Sequence, residues 1–280
     1  MLSWRRPAAI LILLAIGAVA CGTGVATSDG AGVGTRVGAS RPEVAPPATT
    51  LAPAVIPEVA PPTTTAPPVE TVPPDPFETL VATVVDRVSV LHTFEEPDGE
   101  PVHFEYALTN PTYFENDLVL MVTDRTEDER WLKVQVPVRP NGSEAWIRSA
   151  DVTLSTHRYR AQIDVTERSV IVWNGEEVVA ETTAVVGKDR SPTPIGSFYV
   201  NELIAKWDGS AYGPYILSLS GFSEALETFN GGVPVIAIHG TNRPELMGGA
   251  HSNGCIRIPN DVIELLAATV PVGTPVDIVA

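Results

Sequence analysis

A histidine at position 239 and a cysteine at position 255 are the residues most able to do chemistry in this chain. Cys255 is one of only two cysteines among 280 residues, and His239 stands directly before a glycine. A thiol with a pKa of about 8.5 is mostly protonated at neutral pH, although the thiolate is the species that attacks. Because His239 can accept that proton, the pair predicts a nucleophile and its general base, which is the chemistry of acyl transfer.

The neighbours of this pair fit the same chemistry. Gly254 has no side chain, so the backbone there can come close to a bound carbonyl group. The N–H groups around Gly254 and Cys255 can then face a developing oxyanion, whose stabilisation is often the largest catalytic contribution. Arg257 adds positive charge or holds a substrate carboxylate, and Gly240 lets His239 sit on a tight turn at a strand end.

Three ordered motifs within residues 159–280 resemble the L,D-transpeptidase (YkuD) family. The first is Thr-Pro-Ile-Gly-Ser-Phe at 193–198, and the second is Tyr-Gly-Pro-Tyr at 212–215. The third is Ile-His-Gly-Thr at 238–241, followed by Ser-Asn-Gly-Cys-Ile-Arg at 252–257. The resemblance implies a β-sandwich that carries the thiol at the end of one sheet.

The resemblance also implies an activity and a role for each matched residue. Cys255 would attack a peptidoglycan stem peptide between an L-centre and a D-centre, so that an acyl-enzyme forms and D-alanine leaves. An amine of a second stem would resolve the thioester and give a 3-3 cross-link between third-position residues. His239 would be the base, Ser252 and the backbone of Gly254 would shape the pocket, and Arg257 would orient the substrate. No cofactor is expected.

One position departs from the family pattern. Many members have histidine where this chain has Asn253, and that histidine is often drawn as a second partner of the thiol. An asparagine side chain cannot exchange protons, so Asn253 can only hydrogen-bond, and this puts more weight on His239. His251 is close by in the sequence, which leaves open whether its ring reaches the pocket.

The motifs leave other functions to consider. An L,D-carboxypeptidase would use the same residues with water as the acceptor, a choice that depends on how the pocket excludes water. In a non-catalytic wall-binding lipoprotein, Asn253 would mark a degenerate site. A zinc site made from His239, His251 and Cys255 would lack a fourth ligand, so no metal is expected.

The N-terminal residues are typical of a bacterial export signal. Arg5 and Arg6 form a positive region, and the apolar run 8–19 is too short for a comfortable membrane span. The small residues before Cys21 resemble a lipobox, so residues 1–21 are interpreted as a signal whose removal leaves Cys21 lipidated. The protein would then be anchored at the outer face of the cytoplasmic membrane, in the cell wall or periplasmic space. Ordinary secretion is the alternative, and either route exports the chain.

The composition of residues 22–76 predicts a disordered linker. They hold twelve of the 26 prolines and no aromatic residue. A segment of this composition cannot bury enough apolar surface to fold. We expect it to tether the folded part across the space between membrane and wall.

Residues 77–155 predict a first β domain. Short β-branched runs alternate there with turn formers, which favours a small barrel or sandwich. The segments 131–134, 139–142 and 145–147 resemble a bacterial SH3-like module. Such a module would either bind wall peptides or act as a structural spacer that supports the catalytic domain, and both functions fit the sequence.

Residues 156–280 are the predicted catalytic domain, which is also mainly β. The turn Asn174-Gly175 is a strong hairpin signal. A short helix is expected over residues 261–269, with Asn260 as its N-cap. Its apolar face is expected to contain three residues: Val262, Leu265 and Leu266.

The net charge of −16 limits the classes of partner that the chain can bind. A strongly acidic chain is unsuited to nucleic acid and to anionic lipid held by a basic patch. The expected partners are therefore peptidoglycan stem peptides, together with the membrane through the lipid on Cys21. The oligomeric state is not predicted.

Overall fold

The computed structural model of the chain describes residues 75–280, except residues 88, 105, 106 and 208. The described residues lie within one compact unit. The predicted signal with Cys21, and the linker up to residue 74, fall outside the described residues, so both stay predictions. Within the described part, no helix is long and apolar enough to cross a membrane.

The part before residue 158 is built from short strands. In the described chain they are β1 Thr79–Val84, β2 Ser89–Val90, β3 Thr93–Phe94, β4 Pro101–Val102, β5 Thr109–Asn110, β6 Val119–Arg125, β7 Trp131–Gln135, β8 Glu144–Arg148 and β9 Val152–His157. Seven of them form one sheet in the order β4-β3-β8-β7-β6-β1-β9, and β2 pairs with β5.

Apolar residues of the central strands form the first core. Leu132 on β7 lies opposite Ile147 on β8, and both are fully buried. Val134 lies two residues further along β7, on the same face. It belongs to the same buried cluster, as does Leu120 of β6. The SH3-like assignment of this part stays a prediction.

The second part contains the predicted catalytic residues. Its described strands are β10 Tyr159–Asp164, β11 Ser169–Asn174, β12 Glu177–Thr183, β13 Val186–Gly187, β14 Gly196–Ala205, β15 Tyr215–Phe222, β16 Val235–His239, β17 Ala250–Ser252, β18 Ile256–Arg257 and β19 Pro275–Val279, with helix α1 Asn260–Thr269. Eight strands form one sheet in the order β12-β11-β10-β19-β14-β15-β16-β18, and β13 pairs with β17. The predicted mainly β class with one short helix is confirmed.

The predicted hairpin forms between β11 and β12. The two strands pair antiparallel, with Asn174 opposite Glu177, so the turn lies where the sequence placed it. Gly175 has a φ of 61°, in the left-handed region that glycine enters without strain.

The helix differs from the prediction at both its start and its buried face. Asn260 lies inside α1 and makes no capping bond; its Oδ1 accepts the Thr241 N–H at 2.8 Å instead. The prediction of Asn260 as the cap is therefore wrong, because a tertiary contact uses the side chain. Leu266 is buried as predicted and Val262 packs partly buried against the core, while Ile263, which was not predicted, is the other buried residue. Leu265 is 43% exposed.

The two parts share a buried polar contact. The Gln135 side chain donates to the Ser197 carbonyl at 2.8 Å and accepts from the Ser220 hydroxyl at 3.3 Å. The Tyr199 ring packs into the first core although it belongs to β14. The predicted domain boundary at residues 155/156 stays a prediction, while the structure passes from the seven-stranded to the eight-stranded sheet between His157 and Tyr159.

Candidate active site

The parallel pairing of β16 with β18 brings the predicted catalytic residues to one face. Ile238 lies opposite Ile256, and His239 lies opposite Arg257. Side chains alternate between the faces of a strand. Since both isoleucines are buried in the core, His239 and Arg257 face the other way. Strand alternation extended to the residue just before β18 predicts that Cys255 shares the face of His239 and Arg257.

The thiol of Cys255 lies against β16. Its Sγ is 3.9 Å from the Val235 carbonyl oxygen, and the residue as a whole stays partly accessible. Burial of the sulfur raises the pKa of the thiol, while a hydrogen bond from the Ala237 backbone and the nearby charge of Arg257 lower it in part. In the resting protein Cys255 is therefore a protonated thiol at neutral pH.

His239 is held in one tautomer. It is only 3% exposed, and its Nδ1 lies 2.6 Å from the Gly240 carbonyl oxygen. Because a carbonyl oxygen can only accept, Nδ1 carries the proton. The lone pair of Nε2 is then free to accept a proton. The Tyr212 ring packs edge-on against the imidazole, with ring centroids 4.9 Å apart.

The turn after His239 is fixed by close packing. A Cβ on Gly240 would overlap the side-chain oxygen of Asn260 and crowd the backbone of Gly213. Asn260 also accepts the N–H of Thr241. The sequence indicated a tight turn at Gly240, and the start of α1 holds that turn in place.

Burial keeps the imidazole neutral. It lowers the pKa of His239 to about 4, an effect that the Gly240 and Tyr212 carbonyls oppose and the charge of Arg257 reinforces. At pH 7 the site therefore holds a neutral thiol and a neutral base. A pair in these protonation states is not a standing thiolate–imidazolium ion pair, so attack by the sulfur would require the proton to leave in the same step.

The backbone around the nucleophile is shaped by Ser252 and Thr193. The Ser252 hydroxyl accepts the Gly254 N–H at 3.0 Å and donates to the Cys255 carbonyl at 2.6 Å. Thr193 donates to the Gly254 carbonyl at 2.9 Å. Gly254 has a φ of 119°, and a Cβ there would press on Ile236, so this position favours glycine.

The hydrogen bonds of Ser252 reduce the number of backbone amides that can face an oxyanion. The sequence suggested that the amides of both Gly254 and Cys255 face substrate, but the Gly254 N–H already donates to Ser252. Among the described residues the Cys255 N–H has no partner. The Cys255 amide is therefore the donor left for an oxyanion.

Asn253 is bonded to a residue that the sequence did not indicate. The ammonium group of Lys188 donates to the Asn253 side-chain oxygen at 2.5 Å. Asn253 and Cys255 line one small cleft together with Leu226, Phe229, Pro234, Val235 and Ile236. Lys188 thus adds a positive charge at the rim of the cleft. No local pattern marks it, since 65 residues separate the two partners.

Arg257 and His251 differ in their relation to the site. The backbone of Arg257 exchanges two hydrogen bonds with Val185, at 2.8 and 2.9 Å, and its Nε is buried without a partner in the described chain. The positive charge of Arg257 lowers the pKa of both His239 and Cys255. His251 is exposed on β17, whereas the next residue, Ser252, is buried. Strand alternation therefore turns the His251 ring away from the side on which Ser252 is buried.

A metal centre has no support in the part of the chain that the structure describes. Groups of three or more His, Cys, Asp or Glu able to hold an ion do not occur there. The chemistry of the site is accordingly derived from the thiol, the imidazole and the backbone amide.

We expect alkylation of Cys255 by iodoacetamide to rise with pH and to reach its midpoint above about 8.5, the value of a free cysteine. The reason is that burial disfavours the thiolate. The rate constant is measured by intact mass from about pH 5 to about pH 10, with Cys255→Ala as the control for labelling elsewhere. A midpoint below about pH 7 would show a standing ion pair and contradict the neutral pair.

Part of the chain is similar in sequence to known proteins. Residues 158–278 match the family model of the L,D-transpeptidase catalytic domain (YkuD), the family that the sequence motifs resemble. Two relatives named "Putative L,D-transpeptidase YkuD", from Bacillus licheniformis and Bacillus subtilis, are each 36% identical over 121 residues, 43% of this chain. The match spans 65% of each relative's length. The crystal structure of a mutant Enterococcus faecium L,D-transpeptidase is 25% identical over 42% of this chain and 48% of that chain, with a TM-score of 0.34.

Proposed function

We propose that this protein is a peptidoglycan L,D-transpeptidase that makes 3-3 cross-links through an acyl-enzyme on Cys255. The observation that supports the proposal is the pairing of β16 with β18, which sets His239 opposite Arg257, two residues after Cys255. The family match of residues 158–278 supports the substrate class. Each step below uses groups that the site already contains.

In the first half-reaction Cys255 is acylated. Its Sγ attacks the carbonyl carbon of the donor peptide between the L- and D-centres, and the thiol proton passes to Nε2 of His239. The oxyanion that forms faces the Cys255 N–H. When the C–N bond breaks, the imidazolium returns the proton to the leaving amine, so D-alanine leaves as a neutral amine and a thioester remains.

In the second half-reaction the thioester is resolved. The neutral amine of a second stem peptide attacks the thioester carbon while Nε2 of His239 takes a proton from the nitrogen. The C–S bond breaks, and the sulfur regains the proton from His239. A new amide joins the two stems, and the site returns to its neutral thiol and neutral imidazole.

Positive charge at the site supports binding of a stem peptide. The unpartnered Nε of Arg257 faces the side of the sheet that carries the catalytic pair, and Lys188 lies at the rim of the cleft. Stem peptides carry carboxylates, which guanidinium and ammonium groups bind by charge-assisted hydrogen bonds. In a chain of net charge −16, these cations attract the acidic substrate locally.

Product analysis tests the proposal. We expect purified protein incubated with tetrapeptide muropeptides to release D-alanine and to form dimers joined between third-position residues, as identified by tandem mass spectrometry. Cys255→Ala serves as the inactive control. Tripeptides without dimers would show that water is the acceptor and would replace the transpeptidase by an L,D-carboxypeptidase.

His239→Ala should lower the rate of cross-linking by about 10²- to 10⁴-fold at neutral pH, because the thiol loses its base. The loss should be smaller at high pH, where the thiolate forms without help. The experiment is a pH–rate profile of wild type and variant, with circular dichroism to compare their folds. An equal loss at every pH would indicate a structural histidine.

We further propose that the protein is exported and held at the outer face of the cytoplasmic membrane by lipid on Cys21. A linker over residues 22–76 would let the catalytic domain reach the wall. Mass spectrometry of the mature N-terminus from the membrane fraction is expected to find diacylglyceryl on Cys21. An unmodified N-terminus, with all of the protein released from membranes, would favour ordinary secretion.

A further inference from the structure

Residues of the loop after β7 form hydrogen bonds with the end of β15 and the chain that follows it. Arg139 donates from Nη2 to two carbonyl oxygens, that of Ser223 at 2.9 Å and that of Leu226 at 2.8 Å. Its guanidinium also lies over the Phe222 ring, 5.8 Å from the centroid. Hydrogen bonds from a charged donor are about twice as strong as neutral ones. Arg139 therefore holds the backbone of this segment through two strong hydrogen bonds.

Asn141 adds a second attachment beside the first. Its Nδ2 donates to the Phe222 carbonyl at 2.9 Å, and its Oδ1 accepts the Phe222 N–H at 2.8 Å. The amide side chain thus bonds both backbone groups of one residue, as a neighbouring strand would. Phe222 is the last residue of β15 and lies opposite Val235 on β16.

The segment that Arg139 and Asn141 hold contributes two residues to the small cleft beside Cys255. Leu226 and Phe229 line that cleft together with Cys255. The segment from Glu224 to Val233 is mostly exposed, and its own backbone bonds are short-range, such as the pair between Phe229 and Gly232. Among the described residues, the hydrogen bonds that reach this segment and Ser223 from the first β part are those of Arg139 and the 3.3 Å bond from Asn141 to the Glu224 carboxylate.

We propose that Arg139 and Asn141 are positioning residues that fix residues 223–234 as one wall of the donor-binding cleft. This inference rests on the proposed transpeptidase function for its substrate. Neither side chain needs to touch the reacting atoms. By holding the wall before substrate arrives, they reduce the ordering that binding would otherwise require. The first β part is then a supporting element of the active site, one of the two functions that its sequence left open.

The test uses Arg139→Ala and Asn141→Ala in the full mature protein. Arg125→Ala is the matched control, since the Arg125 guanidinium pairs with Glu129 on the exposed side of the same sheet. Backbone hydrogen exchange over residues 223–234 should become at least about tenfold faster in the first two variants, because local opening governs exchange. Exchange in β16, and in β15 apart from the Phe222 amide that Asn141 accepts, should match that of wild type, and Arg125→Ala should match it throughout.

Kinetics provide the second measurement. In both variants kcat/KM for cross-linking should fall by about ten- to a hundredfold, mainly through a higher KM. The rate of Cys255 alkylation by iodoacetamide should stay within about threefold of wild type, because the thiol and His239 are untouched. Arg139→Lys keeps the charge but loses the forked donor, so it should recover only part of the activity.

The outcomes separate this inference from the proposed function. If the wild-type protein forms no cross-links, the proposed function is wrong. The exchange rates would still show whether Arg139 and Asn141 position residues 223–234. Unchanged exchange over residues 223–234, or an unchanged KM, would overturn the inference. Exchange that rises equally throughout the protein would show a merely structural role and overturn it too. Should Arg139→Ala fail to fold, Asn141→Asp replaces it: the variant keeps the acceptor for Phe222 N–H and loses the donor to Phe222 O.

Discussion

The parallel pairing of β16 with β18 is the constraint on which the site depends. Its register places Ile238 and Ile256 in the core and leaves His239 and Arg257 on the opposite face. A slip of one residue would exchange the faces of a whole strand. The nucleophile and its base would then separate, and isoleucines would be exposed. Burial of the isoleucines therefore fixes the face on which His239 and Arg257 lie.

Burial also sets the electrostatics of the pair. A low-dielectric environment disfavours charge on either partner, so it lowers the pKa of His239 and raises that of Cys255. Both effects oppose a resting ion pair. The Gly240 carbonyl fixes the tautomer of the imidazole, and the Cys255 amide has no partner among the described residues. The site is thus organised to move a proton during attack, when charge appears on the substrate.

Much of this could be predicted from the sequence because it is local. The short β-branched runs were sufficient to predict the mainly β fold. The rarity of Cys255 and the His239-Gly240 turn predict the nucleophile and the base, and both roles stay predictions. Contacts between distant residues were not predictable. Lys188 meets Asn253 across 65 positions, and Arg139 meets Ser223 across 84. For the same reason the predicted cap Asn260 was wrong, since its side chain bonds Thr241, nineteen positions away.

The central claim is that Cys255 becomes covalently acylated by a donor peptide. Intact-protein mass spectrometry after rapid mixing with a donor tetrapeptide, without an acceptor, measures this step directly. The account predicts an added mass equal to the tetrapeptide minus D-alanine, located on Cys255 by peptide mapping and absent from Cys255→Ala. An unmodified wild-type mass while D-alanine is released, or the adduct on another residue, would contradict it.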